Sequence, residues 1–469
     1  MPTPDPVPER PPVTDLLDTA RLDAVCAAAL ATHHCPSVSV AVAAEGEVVH
    51  AGAWGLADSA SGRAAEPGTA YGVGSVTKPM TATAVCRAAD AGLLDLDAPV
   101  PAAALPYFGP HRRPTARELL RHRGGLGAFY AWDYGDGAAP VDPDRYAVRH
   151  RAPGSGFEYA NLGYRVLGRL LEDVTGRPLG HVLRDEVFGP LGLDSCHLGP
   201  VHPGPGPAAV RYTADGRPYP AYDCGHPGAT LGWATASDLA LFAQRAPSLL
   251  TPATTAAVRD ALPLNEHLGY GLGWCVAGGG RDGRPLVLSH SGGGGGTGAM
   301  VVAVPEQRLS VAVLTNSTNK AARDAVLGAL LGMLVPGFQL EWIIVPHDDP
   351  ERPLELPPGR WTGRIPAPER ELAVELRIRE AGRIDLRVDG ERAEGTASAS
   401  RDWDLRAALP LPLPTADARV NSPLLSLGLR RSTTPDGAEL TGVATAYKAG
   451  EAGGFLGNYL SHRVALRPS

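Results

Sequence analysis

Ser75 and Lys78 stand three residues apart in the stretch YGVGSVTKPMTATAV, as a nucleophile and the base that activates it would. Only three of the chain's 43 lysines and arginines are lysines, so Lys78 is not a generic surface cation. Guanidinium keeps its proton at any pH a protein meets, whereas an ammonium stripped of water gives its proton up and can then accept one. On a helix, the i, i+3 spacing puts both side chains on one face, where an amine can take a hydroxyl proton. If Ser75 opens that helix, the positive end of the helix dipole favours both the alkoxide and the oxyanion that its attack creates. Ser-x-x-Lys by itself also fits an ordinary capped helix start, so its meaning depends on what the rest of the chain brings to it.

The expected helix runs from Ser75 to a glycine stop at Gly92. Ahead of it, SVSVAVAAEGEVVHAGAWG reads as two valine-rich strands around a Glu45-Gly46 turn. Thr115 and Glu118 have capping-box spacing and open another helix. In NLGYRVLGRLLEDVTG, Leu162, Val166, Leu167, Leu170 and Leu171 recur at helical intervals up to a closing glycine. GAMVVAVPEQRLSVAVLTN predicts two apolar strands around a turn at 305–308. Strands at both ends of a helical middle predict an antiparallel sheet covered by helices. After the acidic, proline-rich VPHDDPERPLELPPG, segments such as ELAVELRIREAGRIDLRVDG alternate with a period of two, which predicts a small β-barrel or sandwich. The expected organisation is a disordered tail over 1–20, a catalytic domain over 21–345, a linker over 346–359 and a β domain over 360–469.

With 469 residues, 44% of them hydrophobic and 20% charged, the chain can bury more than one core. A net charge of −7 argues against a nucleic-acid or anionic-membrane partner. The local arginines of HRRPTARELLRHR read as a solvated helix face. MPTPDPVPERPPVTD has prolines and acids where an export signal needs a basic region and an apolar run, and AVLGALLGMLVPGF is too short to span a bilayer. Cys26, Cys35, Cys86, Cys196, Cys224 and Cys275 show no C-x-x-C spacing, which suits reduced, buried thiols. The histidines of THHC and CGH lack a second ligand pair for zinc. The expectation is a cytoplasmic protein without metal or other cofactor.

Two further stretches give Ser75 and Lys78 company. PGSGFEYANLGYRVLG carries Tyr159 and Asn161, and LSHSGGGGG carries His290, Ser291 and Gly292 just before the apolar hairpin. Ser-x-x-Lys, Tyr-x-Asn and His-x-Gly in this order form the pattern of the penicillin-recognising serine enzymes. With TARELLRHRGGLG and YGLGW, the chain over roughly residues 20 to 340 resembles the class C β-lactamase and penicillin-binding-protein-like hydrolases. The resemblance implies a β-lactamase-like α/β (α+β) fold, an antiparallel sheet with a helical subdomain. It implies Ser75 as nucleophile, with Lys78 and Tyr159 sharing the general-base and general-acid work. Asn161 would orient Lys78 and bond a substrate amide, or cap the helix it precedes, or do both. His290 stands where many relatives carry lysine; this weakens a fixed charge for a β-lactam carboxylate and leans toward the esterase and peptidase branches. The N–H groups of Ser75 and Gly293 would form an oxyanion hole, with Gly292 in the strand that substrate approaches.

Within this family the layout is similar to the penicillin-binding-protein-type thioesterases of nonribosomal peptide synthesis, which carry a C-terminal lipocalin-like β-barrel. That branch takes acyl donors ending in a D-residue, delivered as carrier-protein or other thioesters, and releases peptides as head-to-tail macrolactams. By this resemblance Trp233 in GATLGWATASDLALF sits beside the cleft, and Arg463 in FLGNYLSHRVAL holds a carboxylate of the incoming residue. Lys448 in AYKAG is as rare as Lys78 but lies in no motif with a meaning. The alternatives are a D-amino-acid-specific peptidase, amidase or esterase using the same acyl-enzyme, and a catalytically silent binding protein.

Overall fold

Apolar strands flanked by helices on both sides organise the N-terminal two thirds of the chain, as traced in a computed structural model. The structure describes residues 11–105, 111–137, 141–204, 206–279, 283–344, 351–367, 369–415, 423–435, 437–447, 450, 451 and 454–469. The elements that matter for the site are α1 (Thr19–His33), β1 (Ser37–Ala44), β2 (Glu47–Asp58), β3 (Tyr71–Gly74), α2 (Thr77–Asp90), β4 (Phe129–Tyr130), α3 (Asn161–Thr175), α4 (Ala236–Arg245), β5 (Val287–Gly294), β6 (Thr297–Val304), β7 (Leu309–Thr315) and α5 (Ala321–Leu334). One nine-stranded sheet runs from the short strands Leu262–Pro263, Leu268–Tyr270 and Cys275–Ala277 through β5, β6, β7, β1 and β2 to Arg63–Ala64. All its pairings are antiparallel.

Residue size along β1 explains the two layers. Val38, Val40 and Val42 pack with Met300, Val302, Val311 and Val313 against α1 and α5, while Ala41 and Ala43 face the other core with Ala299, Ala312 and α4. A strand covered on both faces reads as a continuous apolar run, and every residue of β1 is buried. The hairpins around Glu45-Gly46 and 305–308 form as the turn residues predict. Thr115 and Glu118 make a capping box, and α3 buries its expected leucines and valine before Gly176 closes it in the left-handed region.

Three expectations change. Residues 1–10 lie outside the described residues, but the rest of the expected disordered tail is ordered. Val13, Leu16 and Leu17 pack on the α1 and α5 core, and Asp18 caps α1 through Arg21 N at 2.9 Å. Of the expected linker, residues 345–350 are outside the described set, whereas Arg352 pairs with Ala399 and Leu356 is buried in the C-terminal core. Asn161 is the first residue of α3 and Ala160 is its N-cap, because the Asn161 side chain is engaged elsewhere.

The C-terminal strands are β8 (Gly359–Pro366), β9 (Glu371–Ile378), β10 (Arg383–Val388), β11 (Glu391–Thr396), β12 (Leu405–Leu409), β13 (Leu424–Thr434), β14 (Gly437–Tyr447) and β15 (Tyr459–Pro468). Their order β11-β10-β9-β8-β15-β14-β13-β12 makes an eight-stranded sheet, which a bridge between Ser398 and Arg406 brings nearly to a closed barrel. The period of two is visible in β9, where Leu372, Val374, Leu376 and Ile378 point inward. Arg112, Arg117 and Arg121 pair with acids, with Glu118, Asp97 and Asp260 in turn, so that much of the local positive charge is matched. Among the described residues, no helix is long and apolar enough to cross a membrane.

The barrel is joined to the catalytic domain by a strand. The start of β15 pairs with β4, Tyr459 opposite Tyr130 and Leu460 opposite Phe129. Trp132 N donates to Asn458 Oδ1 at 2.9 Å, and Ser461 Oγ donates to Ala128 O at 2.7 Å. A second contact places the Trp403 ring between the guanidinium groups of Arg151 and Arg430, 5.1 and 5.2 Å from its ring, with His150 stacked on it. Arg151 and His150 both pair with Glu158, the neighbour of Tyr159. Trp403→Ala should therefore cost about 2–4 kcal/mol, through lost packing and cation–π contacts. Denaturant unfolding followed by circular dichroism checks this; an unchanged midpoint would mean that Trp403 does not hold the two domains together.

Candidate active site

β3 ends in a turn that delivers Ser75 to the mouth of α2, whose first helical residue is Thr77 rather than Ser75. Gly74 has φ +53, and a Cβ there would lie 2.9 Å from Gly293 N. A Cβ on Gly292 would collide with the carbonyl of Val73. Only glycines let β3 and β5 approach this closely, and the approach brings the Gly293 amide beside the residue preceding Ser75.

Lys78 is completely buried, with Nζ 3.0 Å from Ser75 Oγ, 2.8 Å from Asn161 Oδ1 and 3.1 Å from Ala229 O. Asn161 is oriented by donating from Nδ2 to Phe129 O at 2.8 Å, which leaves Oδ1 facing the lysine. Burial drives the Lys78 pKa well below 10.5, with only a small opposing influence from Cys224. The free amine that burial favours has two hydrogens and one lone pair. The two carbonyl oxygens can only accept, so the lone pair is left for the one partner with a hydroxyl proton, Ser75. The arrangement can therefore draw the proton off Ser75 Oγ.

Tyr159 places its ring 4.6 Å from Lys78 Nζ, and its hydroxyl is directed to Ser75. Burial raises its pKa well above 10, so it is held as a phenol, able to donate a proton rather than to stand as a phenolate. Two residues that the sequence reading did not single out complete this wall. Tyr130, on the strand that pairs with the barrel, directs its buried phenol to both Ser75 and Asn161. His122, from HRGGLG, accepts from Ala160 N through Nδ1 at 3.1 Å and lies against the Tyr159 ring at 4.2 Å. Nothing in the spacing marks Tyr130; His122 was visible in a motif but without a role.

His290 differs from its expected part as a second basic group. Its Nδ1 donates to Ser291 O at 2.9 Å, so its Nε2 accepts from Tyr270 OH, also at 2.9 Å. Burial and the nearby Lys78 push its pKa down to about 3, which makes it a neutral, fully occupied imidazole. Trp233 pairs across from Gly72 of β3, yet it is 5% exposed, and its Nε1 donates to Gly199 O at 2.9 Å. Its ring supports the Arg211 guanidinium, which is sandwiched between it and Tyr222 at 4.3 and 4.2 Å; Trp233 backs the cleft rather than lining it. Arg463 lies four residues along β15 from Tyr459, where its charge helps to lower the His111 pKa, and the barrel residue seen to adjoin the Ser75 group is Tyr459, 5.6 Å from the Tyr130 ring. Lys448 lies outside the described residues. The six cysteines are free and buried. Among the described residues no three His, Cys, Asp or Glu side chains are gathered so as to hold a metal ion.

Comparison with known proteins gives the same frame. The family profile described as Beta-lactamase matches residues 22–332. Penicillin-binding protein 4 of Amycolatopsis lactamdurans is 31% identical over 368 residues, 70% of this chain and 92% of that one. Esterase EstB of Burkholderia gladioli is 37% identical over 43% of this chain and 56% of its own length, and D-aminopeptidase of Brucella ovis is 33% identical over 39% and 37%. The crystal structure of SurE with D-Leu shares the fold with a TM-score of 0.61 at 23% identity, over 94% of this chain and all of that one. The profile match across the sheet and helical subdomain, together with a 31% identity that spans 70% of this chain and most of a penicillin-binding protein, establishes that this chain belongs to the β-lactamase and penicillin-binding-protein family of serine hydrolases.

Proposed function

We propose that the protein is a serine acyltransferase that releases a peptide as a head-to-tail macrolactam. Ser75 accepts the acyl group of a peptidyl ester or thioester ending in a D-residue, and the amino terminus of the same peptide then takes it. The observation that carries the acyl-enzyme half is the buried Lys78 amine, with its lone pair available only to Ser75 Oγ. Lys78 Nζ takes the hydroxyl proton as Oγ bonds to the acyl carbon. The resulting oxyanion is met by the N–H groups of Ser75 and Gly293. The thiolate or alkoxide leaves with a proton from the Tyr159 phenol, which Lys78 replenishes. In the second half the incoming amine loses a proton along the same route and bonds to the acyl carbon, and Ser75 Oγ departs and regains its proton.

Amine over water as acceptor is supported by the pairing of β15 with β4, which sets a second domain beside Tyr130 where it can help orient an incoming group. The full-length likeness to a protein crystallised with D-Leu is in keeping with a D-configured donor. The second reading has the same acyl-enzyme yielding to water, as a D-amino-acid-specific peptidase, amidase or esterase. The partial relatives named D-aminopeptidase and Esterase EstB favour it. Delivery of the thioester by a carrier protein belongs to the first reading only.

An activated peptide thioester mimic should add one acyl group, seen in intact-protein mass spectra, and Ser75→Ala should abolish it; equal labelling of the variant would remove Ser75 from the chemistry. Lys78→Arg keeps the charge but not the base, so single-turnover acylation should fall about a hundredfold or more, nearly as far as in Lys78→Ala. Because the free amine is the active form, the wild-type rate should rise with pH through a midpoint well below 10.5. Near-wild-type rates in Lys78→Arg would make the lysine electrostatic. Gly292→Ala drives β3 away from β5 and should slow acylation by about a hundredfold while leaving Lys78 in place; an unaltered rate would show that the strand contact does not set the geometry. A linear peptide thioester with a D-residue at its activated end and a free amino terminus separates the two readings: cyclic product supports the first, and linear acid alone leaves the second.

A further inference from the structure

A second of the three lysines also stands at the cleft, on the other side of the glycine strand. Lys320 immediately precedes α5 and reaches back over β5, where a Cβ built on Gly293 would lie 2.5 Å from its Nζ. Its stem crosses the space a side chain at 293 would fill, so the run of glycines that admits β3 on one face admits this lysine on the other. The residue is half-buried, and its ammonium makes no hydrogen bond or ion pair with any described residue. Burial and the neighbouring Arg323 both work against its charge, with Asp324 opposing them.

The other cations nearby are taken. Arg323 gives Nη1 to Ser291 Oγ at 2.8 Å, to Gly292 O at 3.2 Å and to Ala299 O at 2.9 Å, and its remaining nitrogens go to Asp324. That pairing, 2.5 Å at its closest, ties Asp324, the carboxylate whose charge reaches Lys320, to Arg323. Arg211 is held between two aromatic rings, and His290 is neutral with both nitrogens used. A half-buried cation without a counter-ion is costly unless an anion arrives, and an ammonium on a flexible stem presents three donors to whatever does.

We propose that Lys320 is the anion anchor of the cleft and holds a substrate carboxylate beside Gly293. This rests on the acyl-enzyme reading of Ser75 and goes beyond it by naming a charge the substrate carries. A carboxylate bound there would lie against the strand whose amide faces the reacting carbonyl. Lys320 would supply there the positive charge that the neutral imidazole at 290 does not. The carboxylate belongs either to the acyl group or to the departing or incoming group, and the two sources are separable.

The test uses two matched pairs of esters. In the first pair the phenyl and 3-carboxyphenyl esters of N-acetyl-D-leucine differ by a carboxylate in the leaving group. In the second the phenyl esters of N-acetyl- and N-succinyl-D-leucine differ by one in the acyl group. For each pair the charged-to-neutral ratio of kcat/KM is measured in the wild-type protein, Lys320→Gln and Lys320→Arg. In one pair Lys320→Gln should lower that ratio by about tenfold or more, mainly through KM, while Lys320→Arg keeps most of it. The responding pair identifies the side on which the carboxylate sits. A ratio unaltered by Lys320→Gln in both pairs overturns the proposal, even if overall rates fall. Failure of the acyl-enzyme reading has a different signature: wild-type protein that turns over no ester and gains no acyl mass.

Discussion

The burial of the Lys78 amine is the constraint around which the site is built. An amine enclosed by α2, α3 and the short helix Pro227–Thr230 cannot keep its proton cheaply, and the hydroxyl it bonds is that of Ser75. Each wall supplies one acceptor. Asn161 gives Oδ1 because its amide nitrogen is held by Phe129 O, and Ala229 gives a backbone carbonyl that cannot turn away. The opposite shift at Tyr159 follows from the same desolvation, since a buried phenol resists ionising as strongly as a buried ammonium resists staying charged. One dry pocket thus produces a base and an acid side by side without a carboxylate.

Close approach of two strands is the second element. β3 leads into Ser75 and β5 brings the Gly293 amide beside Gly74, and glycines at 74 and 292 remove the side chains that would hold the strands apart. Glycine at 293 has a different reason, for there the space is occupied by the Lys320 stem. The cost of so many flexible residues is offset by the sheet itself, because β5 is paired with β6 along its length and β6 is buried throughout.

The barrel takes part through a strand rather than through a long side chain reaching across. Pairing of Tyr459 with Tyr130 ties the orientation of a phenol at Ser75 to the docking of β15, and Trp403 ties the Glu158 neighbourhood of Tyr159 to β12 and β13. Both tyrosines beside Ser75 are thus braced from the second domain, so domain docking and the geometry around Ser75 are coupled.

Much of this was legible in the chain before any coordinates. Hydrophobic periods of two and 3.6, turn residues and a capping box specified the hairpins, α3 and the alternating C-terminal strands, since each depends on neighbours in sequence. The scarcity of lysine beside Ser75 pointed to a proton acceptor, because lysine, unlike arginine, can shed its proton when buried and the amine can then accept one. The same scarcity was the available signal for Lys320, but its meaning needed the fold: 27 positions beyond Gly293 in sequence, it returns to that residue only because β6 and β7 reverse the chain twice. Tyr130 joined the site through strand pairing between domains, and His290 and Trp233 changed roles because burial and hydrogen-bond partners are set by residues distant in the chain. Residue type and spacing determined which chemistry was possible here. Long-range packing alone decided which nitrogen is neutral, which cation has no partner and which tyrosines face the serine, because desolvation and pairing depend on everything within a few ångströms and hardly at all on order in sequence.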